Sequence, residues 1–368
     1  MKVMQLLPAL NSGGVERGTL DMAGALVRTG HESVVVSSGG RLVEQLEGTG
    51  SRHLTLPIHR KSLSSLLQVR PLRRLIESEQ PDILHVRSRM PAWLTYLAWK
   101  KLDPKTRPRL VSTAHGLYSI NRYSAIMASA EQVIAISGCV RDYLTDNYAH
   151  YLKKPPQVIY RGVDTSEFPA DLQLPAQWRK DIEAEFPQLR GKYLLLMPGR
   201  LTRWKGHGDF IRMVARLCRE RQDVHGVLVG GAEENKQHYK TELQQLADEL
   251  GIGDRLTFAG RRSDIRYWYK QASIVYNLST RPEPFGRTII EAAAIGTPIV
   301  GYDIGGPAES LRACFPRGLI DNGDREALYH KTLELLDSDA RPELAPAFTL
   351  DTQARRTMNL YQSLLTEH

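Results

Sequence analysis

Short apolar runs alternate with longer amphipathic stretches along the chain. Residues 3–7, 33–37, 53–56, 82–86, 110–113, 132–136 and 157–160 are β-rich runs bounded by turn residues, which predicts a series of buried strands. Between them, residues 15–28 repeat apolar side chains at helical spacing, with Leu20, Ala23, Leu26 and Val27 able to share one face. Residues 42–47 and 66–79 read as helices in the same way. Residues 162–191 then break the rhythm: Gly162, Pro169, Pro175, Pro187 and Gly191 punctuate a polar segment, which predicts a domain boundary. Beyond it the alternation resumes. Strands are expected at 193–197, 224–229, 255–258, 274–277 and 298–301, and helices at 209–220, at 240–250 before Gly251, from Arg287, and from about Asp324.

Alternating strands and helices imply parallel sheets covered on both faces. Twice over, this predicts an α/β chain of two facing, Rossmann-like, doubly wound domains. The first would hold residues 1–165 and the second residues 166–349. Residues 350–368 read as an amphipathic helix returning to the first domain. Such sheets bind ligands beyond their C-terminal strand ends, so the cleft between the domains is the expected active site.

Charged residues make up 24% of the chain and hydrophobic ones 42%, which predicts a globular protein. No apolar run reaches the ~18 residues of a membrane-spanning helix. The opening residues read as a buried strand rather than a signal peptide. Cys139, Cys218 and Cys314 are isolated and odd in number, which points to a reducing, cytoplasmic setting with neither a metal cluster nor a disulfide framework. The net charge of +8 is unevenly placed. Residues 1–165 hold 22 Lys and Arg against 13 Asp and Glu, whereas the remainder holds 27 against 28. Dense basic patches lie at His59-Arg60-Lys61, at 70–74, at Arg87 with Arg89, and at 100–109. They suit an anionic membrane surface or a phosphorylated acceptor, with a merely solvated basic surface as the alternative. They lack the aromatic interleaving of a nucleic-acid module, so no nucleic-acid partner is expected.

The most specific motif runs from Glu283-Pro284-Phe285-Gly286 into Arg287-Thr288-Ile289-Ile290-Glu291. Pro284 and Gly286 favour a turn, and the helix from Arg287 would be ended by Gly296 and Pro298. Gly286, Arg287 and Thr288 would offer unpaired N–H groups to an anion. Glu283 and Glu291 would flank that anion and accept hydrogen bonds from paired sugar hydroxyls. A second motif, Gly199-Arg200-Leu201-Thr202-Arg203-Trp204-Lys205-Gly206, follows the strand at 193–197. Arg200 gives bidentate contacts to phosphate and Lys205 a mobile charge, which together ease departure of a nucleoside diphosphate. Third, Gly13-Gly14 lies between the first strand and helix, where a close backbone approach is useful. The glycines are adjacent, with Gly18 following, so this is not the dinucleotide fingerprint. Fourth, His115 follows the strand at 110–113, placed to hydrogen-bond a sugar hydroxyl or assist proton transfer. The Gly-rich segments Gly230-Gly231-Ala232-Glu233 and Gly305-Gly306-Pro307-Ala308-Glu309 read mainly as structural loops.

In this order the motifs resemble the GT-B nucleotide-sugar glycosyltransferases of family 4, over nearly the whole chain. The resemblance implies retention of anomeric configuration, a donor bound mainly by the second domain, an acceptor bound by the first, and no required metal or other cofactor. It implies that Arg200 and Lys205 hold the diphosphate, Glu291 the ribose hydroxyls and Glu283 the donor sugar. Gly13 and Gly14 would present N–H groups to the phosphates or sugar, and His115 would contact the sugar near the reacting carbon. A UDP-sugar is the first donor to test, with GDP- and ADP-sugars next. Many members carry Asn-Gly-Val-Asp where this chain has Arg161-Gly162-Val163-Asp164, which sets the hinge or acceptor side apart. The Gly13-Gly14-Val15-Glu16 opening and the basic first half look most like lipopolysaccharide-core enzymes. That implies an anionic or lipid-linked glycan acceptor at the inner face of the cytoplasmic membrane. Two other readings remain: a non-hydrolysing sugar-nucleotide epimerase, and a non-catalytic nucleotide-sugar binding protein.

Overall fold

Strands buried on both faces need apolar side chains at consecutive positions, and the chain supplies them in two sets. The computed structural model describes residues 1–11, 13–231 and 237–366. It divides into two units, Met1–Arg161 with Leu350–His368, and Gly162–Thr349.

The first unit runs β1 (Lys2–Leu6), α1 (Gly14–Arg28), β2 (Glu32–Ser37), α2 (Val43–Gly48), β3 (Arg52–Thr55), α3 (Val69–Glu79), β4 (Ile83–Val86), α4 (Arg89–Trp99), β5 (Arg109–Ala114), β6 (Gln132–Ala135), α5 (Gly138–Tyr148) and β7 (Gln157–Val158). The strands form one sheet in the order β3-β2-β1-β4-β5-β6-β7, parallel throughout. Alternation along β1 divides the core. Met4 and Leu6 pack with Leu72, Ile76, Leu94 and Trp99 from α3 and α4. Val3 points the other way, among Ile83, Val111, Met22 and Leu26. The last helix of the chain covers that second face, placing Leu360, Tyr361 and Leu364 in the same cluster. Its Tyr361 hydroxyl lies 2.6 Å from His85 Nδ1, and His85 Nε2 lies 2.6 Å from Thr113 Oγ1, so a buried histidine in β4 is satisfied at both nitrogens.

The second unit runs α6 (Ala176–Glu185), β8 (Tyr193–Pro198), α7 (His207–Glu220), β9 (Val224–Val229), α8 (Gln237–Glu249), β10 (Leu256–Gly260), α9 (Ile265–Gln271), β11 (Ile274–Asn277), α10 (Arg287–Ile295), β12 (Ile299–Tyr302), α11 (Gly305–Cys314), β13 (Leu319–Ile320) and α12 (Arg325–Leu336). Residues Leu350–Thr366, the helix that belongs to the first unit, are α13. The second sheet is again parallel, in the order β10-β9-β8-β11-β12-β13. Phe210 of α7 meets Tyr276 of β11 edge to face at 5.2 Å, and the Tyr276 hydroxyl donates to Thr332 of α12 at 3.0 Å. Entry to and exit from the unit are tied together where Val163 N–H donates to Phe348 O at 2.9 Å.

The two units meet in sequence at Arg161–Gly162, at the start of the irregular segment, and that segment contains helix α6 between its prolines. Two expectations need correction. Gly305 and Gly306 open a helix rather than a loop. Arg87 is no part of a surface patch: it is 3% exposed. Ser12 in the first Gly-rich motif, and Ala232 and Glu233 in the later one, lie outside the described residues.

Candidate active site

In a doubly wound sheet the strand order reverses at one point, and ligands gather there. In the second sheet that point lies between β8 and β11. The segments following these two strands are the two motifs richest in charge.

The segment after β8 is held by backbone contacts to the ends of both β9 and β11. Gly199 N–H donates to Val229 O at 2.8 Å, and a Cβ on Gly230 would fall 1.7 Å from Gly199 O, so only glycine allows the approach. The chain then makes a short turn over Arg203–Lys205 and reaches Gly206 at φ +82°. A Cβ there would lie 2.0 Å from Leu278 O. Beside it, Thr280 N–H donates to Trp204 O at 2.8 Å. These contacts hold Lys205 against the segment after β11. Its Nζ donates to Glu283 Oε2 at 2.6 Å, and Ser279 Oγ donates to the other carboxylate oxygen. The pair is well screened from solvent, the side chains being 18% and 10% exposed. Arg200 stands exposed on the same loop.

Helix α10 begins directly after Gly286, with no side-chain cap. No side chain caps the first N–H groups at Arg287 and Thr288, an arrangement that suits an anion. Thr288 Oγ1 accepts from Asn277 Nδ2 at 3.1 Å, which fixes the helix start to the end of β11. One turn on, Glu291 is buried. It accepts from the Tyr269 hydroxyl at 3.0 Å and from Arg287 Nε at 2.9 Å. Burial pushes its carboxyl pKa upward, with Arg287 and Tyr269 pulling the other way. Behind the loop, Gly305 and Gly306 let α11 approach: a Cβ on Gly305 would lie 2.7 Å from Glu283 N, and one on Gly306 2.4 Å from Pro284 O.

The structure thus gathers Arg200, Lys205, Glu283, Gly286, Arg287, Thr288 and Glu291 at one sheet edge of the second unit. Gly13, Gly14 and His115 form a separate group on the first unit. Gly13 takes φ +144° and Gly14 opens α1. His115 follows β5; both ring nitrogens are buried without a hydrogen-bond partner. Burial, then the positive charges of Arg161 and Arg87, hold its pKa well below the ordinary histidine value, so the ring is neutral at pH 7. Sequence reading did not find Tyr269, Ser279 or Asn277. They come from a helix and a strand end whose own patterns carry no chemical signal. Among the described residues, no three His, Cys, Asp or Glu side chains are grouped as round a metal ion.

Residues 12–167 match Glycosyltransferase Family 4, and residues 179–348 match Glycosyl transferases group 1. D-inositol 3-phosphate glycosyltransferase 1 of Catenulispora acidiphila is 30% identical over 227 residues, covering 59% of this chain and 52% of that protein, so the alignment spans about half the relative's length. The lipopolysaccharide core biosynthesis mannosyltransferase LpsB of Rhizobium meliloti is 27% identical over 248 residues, 64% of this chain and 66% of LpsB. Among solved structures, a glycosyltransferase from Rickettsia africae is similar with a TM-score of 0.85 and 28% identity, over 100% of this chain and 99% of that one. HepE of Anabaena, solved in complex with UDP, shares the fold with a TM-score of 0.78 and 23% identity, over 99% of this chain and 100% of that one. With both halves matched and both sheets parallel and doubly wound, the chain belongs to the GT-B glycosyltransferases of family 4 and group 1.

Proposed function

We propose that this protein is a retaining glycosyltransferase that moves a sugar from a nucleoside-diphosphate sugar to an anionic, lipid-linked envelope glycan. One observation carries the reading: the Lys205–Glu283 pair and the buried Glu291 bracket the uncapped start of α10 at the switch point of the second sheet. Cations and helix N–H groups suit a diphosphate, whereas carboxylates suit hydroxyl groups. A nucleotide sugar presents both in sequence. Glu291 takes the ribose hydroxyls, Arg200, Lys205 and the α10 start take the diphosphate, and Glu283 takes the sugar. Before donor arrives, Glu283 holds Lys205 in place. As the bond from the anomeric carbon to the diphosphate oxygen breaks, charge builds on that oxygen, and fixed cations stabilise it. This supplies the positive charge without a metal ion. The acceptor hydroxyl attacks the same face and gives its proton to the departing phosphate. On the first unit, Gly13 and Gly14 offer N–H groups to the donor, and neutral His115 contacts the sugar.

UDP is the first nucleotide to test, because HepE was solved with UDP. An envelope acceptor is supported by the likeness to LpsB and by the basic first unit. Leu66 and Leu67, 48% and 73% exposed, stand just before the exposed Arg70 and Arg74, a pairing that suits peripheral contact with an anionic membrane. The test is nucleotide release from UDP-, GDP- and ADP-sugars, with and without lipopolysaccharide core fragments. Release only with acceptor, and a product of unchanged anomeric configuration, supports transfer. Acceptor-free conversion to an epimeric sugar nucleotide would replace it with the epimerase reading. Nucleotide binding without any turnover would leave a binding protein.

A further inference from the structure

The first sheet also has a switch point, between β1 and β4. β1 leads to Gly13 and the first turn of α1, and β4 runs directly into Arg87. Arg87 is buried, and its Nε has no hydrogen-bond partner. Among the described residues no carboxylate makes an ion pair with it. A buried charge without a partner is among the costliest features a fold carries, and such positions are kept where a ligand supplies the missing charge. Asp21, the nearest acidic influence on Arg87, accepts instead from Arg17 at 3.2 Å.

A second guanidinium arrives at the same place. Arg161 ends the first stretch of the first unit, and its side chain donates to Gly14 O. A Cβ built on Gly18 would lie 3.7 Å from Arg161 Nη2 and 3.7 Å from Arg87 Nη1, so both cations flank one face of the first turns of α1. That helix has 15 residues and receives no side-chain cap from Gly13. Its first N–H groups add to the positive field, offset in part by the Glu16 carboxylate, which lies in the first turn beside Gly13. His115 lies within electrostatic reach of both arginines, with both ring nitrogens unpartnered. The neutral ring offers one donor and one acceptor. A carboxylate brings one negative charge to this cluster; a phosphate brings up to two, with oxygens matched to two guanidinium forks.

We propose that Arg87, Arg161 and the N-terminal turns of α1 form a phosphate subsite on the first unit, lined by His115. The phosphate has two conceivable sources: a phosphorylated acceptor or the diphosphate of the donor. Assigning the source rests on the transfer reading above, whereas the subsite itself does not. Arg161 also gives a physical role to the residue that stands where many members carry Asn.

The test is thermal stabilisation by inorganic phosphate, against sodium chloride at equal ionic strength, for wild type, Arg87→Gln and Arg161→Gln. Each is measured with and without saturating UDP. Phosphate should stabilise the wild type, and each substitution should raise the half-saturating phosphate concentration at least about tenfold. A phosphate effect that persists in UDP assigns the subsite to the acceptor; one that UDP abolishes assigns it to the donor diphosphate. Should Arg87→Gln not fold, Arg161→Gln, at a half-buried position, decides alone. Absence of stabilisation in the wild type, or equal stabilisation in the folded variants, overturns the proposal. An Arg-dependent phosphate effect with no response to UDP, GDP or ADP keeps the subsite and removes the donor reading instead.

Discussion

Replacing Glu291 by Gln keeps the shape of a buried side chain and removes its charge. The amide oxygen can still accept from Tyr269, now 3.0 Å from the carboxylate, so the local packing survives. Burial raises the pKa of this carboxyl. The folded state therefore holds the proton more tightly than the unfolded chain does. The stability gained from that is full below the ordinary carboxylate range and is lost as pH rises through the raised value. Ionising Glu291 is therefore a cost to the fold, and Glu291→Gln should leave the melting temperature unchanged or slightly higher. Nucleotide binding should respond the other way. A hydrogen bond to a charged group contributes about 1.5–3 kcal/mol, and Gln retains one accepting oxygen while turning an NH₂ toward the second ribose hydroxyl. The expected loss is about 2–3 kcal/mol, or roughly 30–150-fold in the UDP dissociation constant at 25 °C. Calorimetric titration with UDP, paired with thermal unfolding of the free protein, reads both quantities. A dissociation constant within about threefold of wild type, together with a lower melting temperature, would make Glu291 a structural residue and refute the reasoning.

Other perturbations probe the remaining parts. Lys205→Met and Glu283→Gln each leave half of a buried pair behind, so each should cost about 2–4 kcal/mol in urea unfolding, and the double variant clearly less than their sum. Simple additivity would mean that the pair is not formed in solution. Gly206→Ala forces a Cβ against Leu278 O at φ +82°, which should cost about 2 kcal/mol or more and weaken UDP binding as the Lys205 turn shifts. Unchanged stability would contradict the backbone contact. Reversing Arg70, Arg73 and Arg74 to Glu should reduce binding to anionic vesicles, more at low salt than at high. Equal binding at low salt removes the membrane-docking reading.

The parallel strands were legible because both faces are buried, which leaves apolar runs that few other structures produce. Helix α10 was legible from its punctuation, with Gly286 before it and Gly296 and Pro298 after it. The same punctuation misled elsewhere. Pro175 caps α6 and Pro187 follows it, so the prolines there bound a helix rather than abolish one. Gly305, Gly306 and Pro307 suggested a loop, yet all three sit in the first turn of α11, where proline is tolerated. The two glycines serve the close approach to the Glu283 loop, a tertiary requirement that no local pattern records. Arg87 looked like one more basic surface residue. Its position directly after a central strand was the available signal, because side chains there face the ligand edge of the sheet. The separation of Gly13, Gly14 and His115 from the other candidates followed domain assignment, but their association with Arg87 and Arg161 needed three dimensions.

The most direct test of the donor site is a crystal structure of the protein with UDP, grown without divalent metal. The diphosphate is expected beside Arg200, Lys205 and the first N–H groups of α10, with the ribose hydroxyls on Glu291. A nucleotide bound elsewhere on the second unit, or bound only when a metal ion bridges its phosphates, would contradict it.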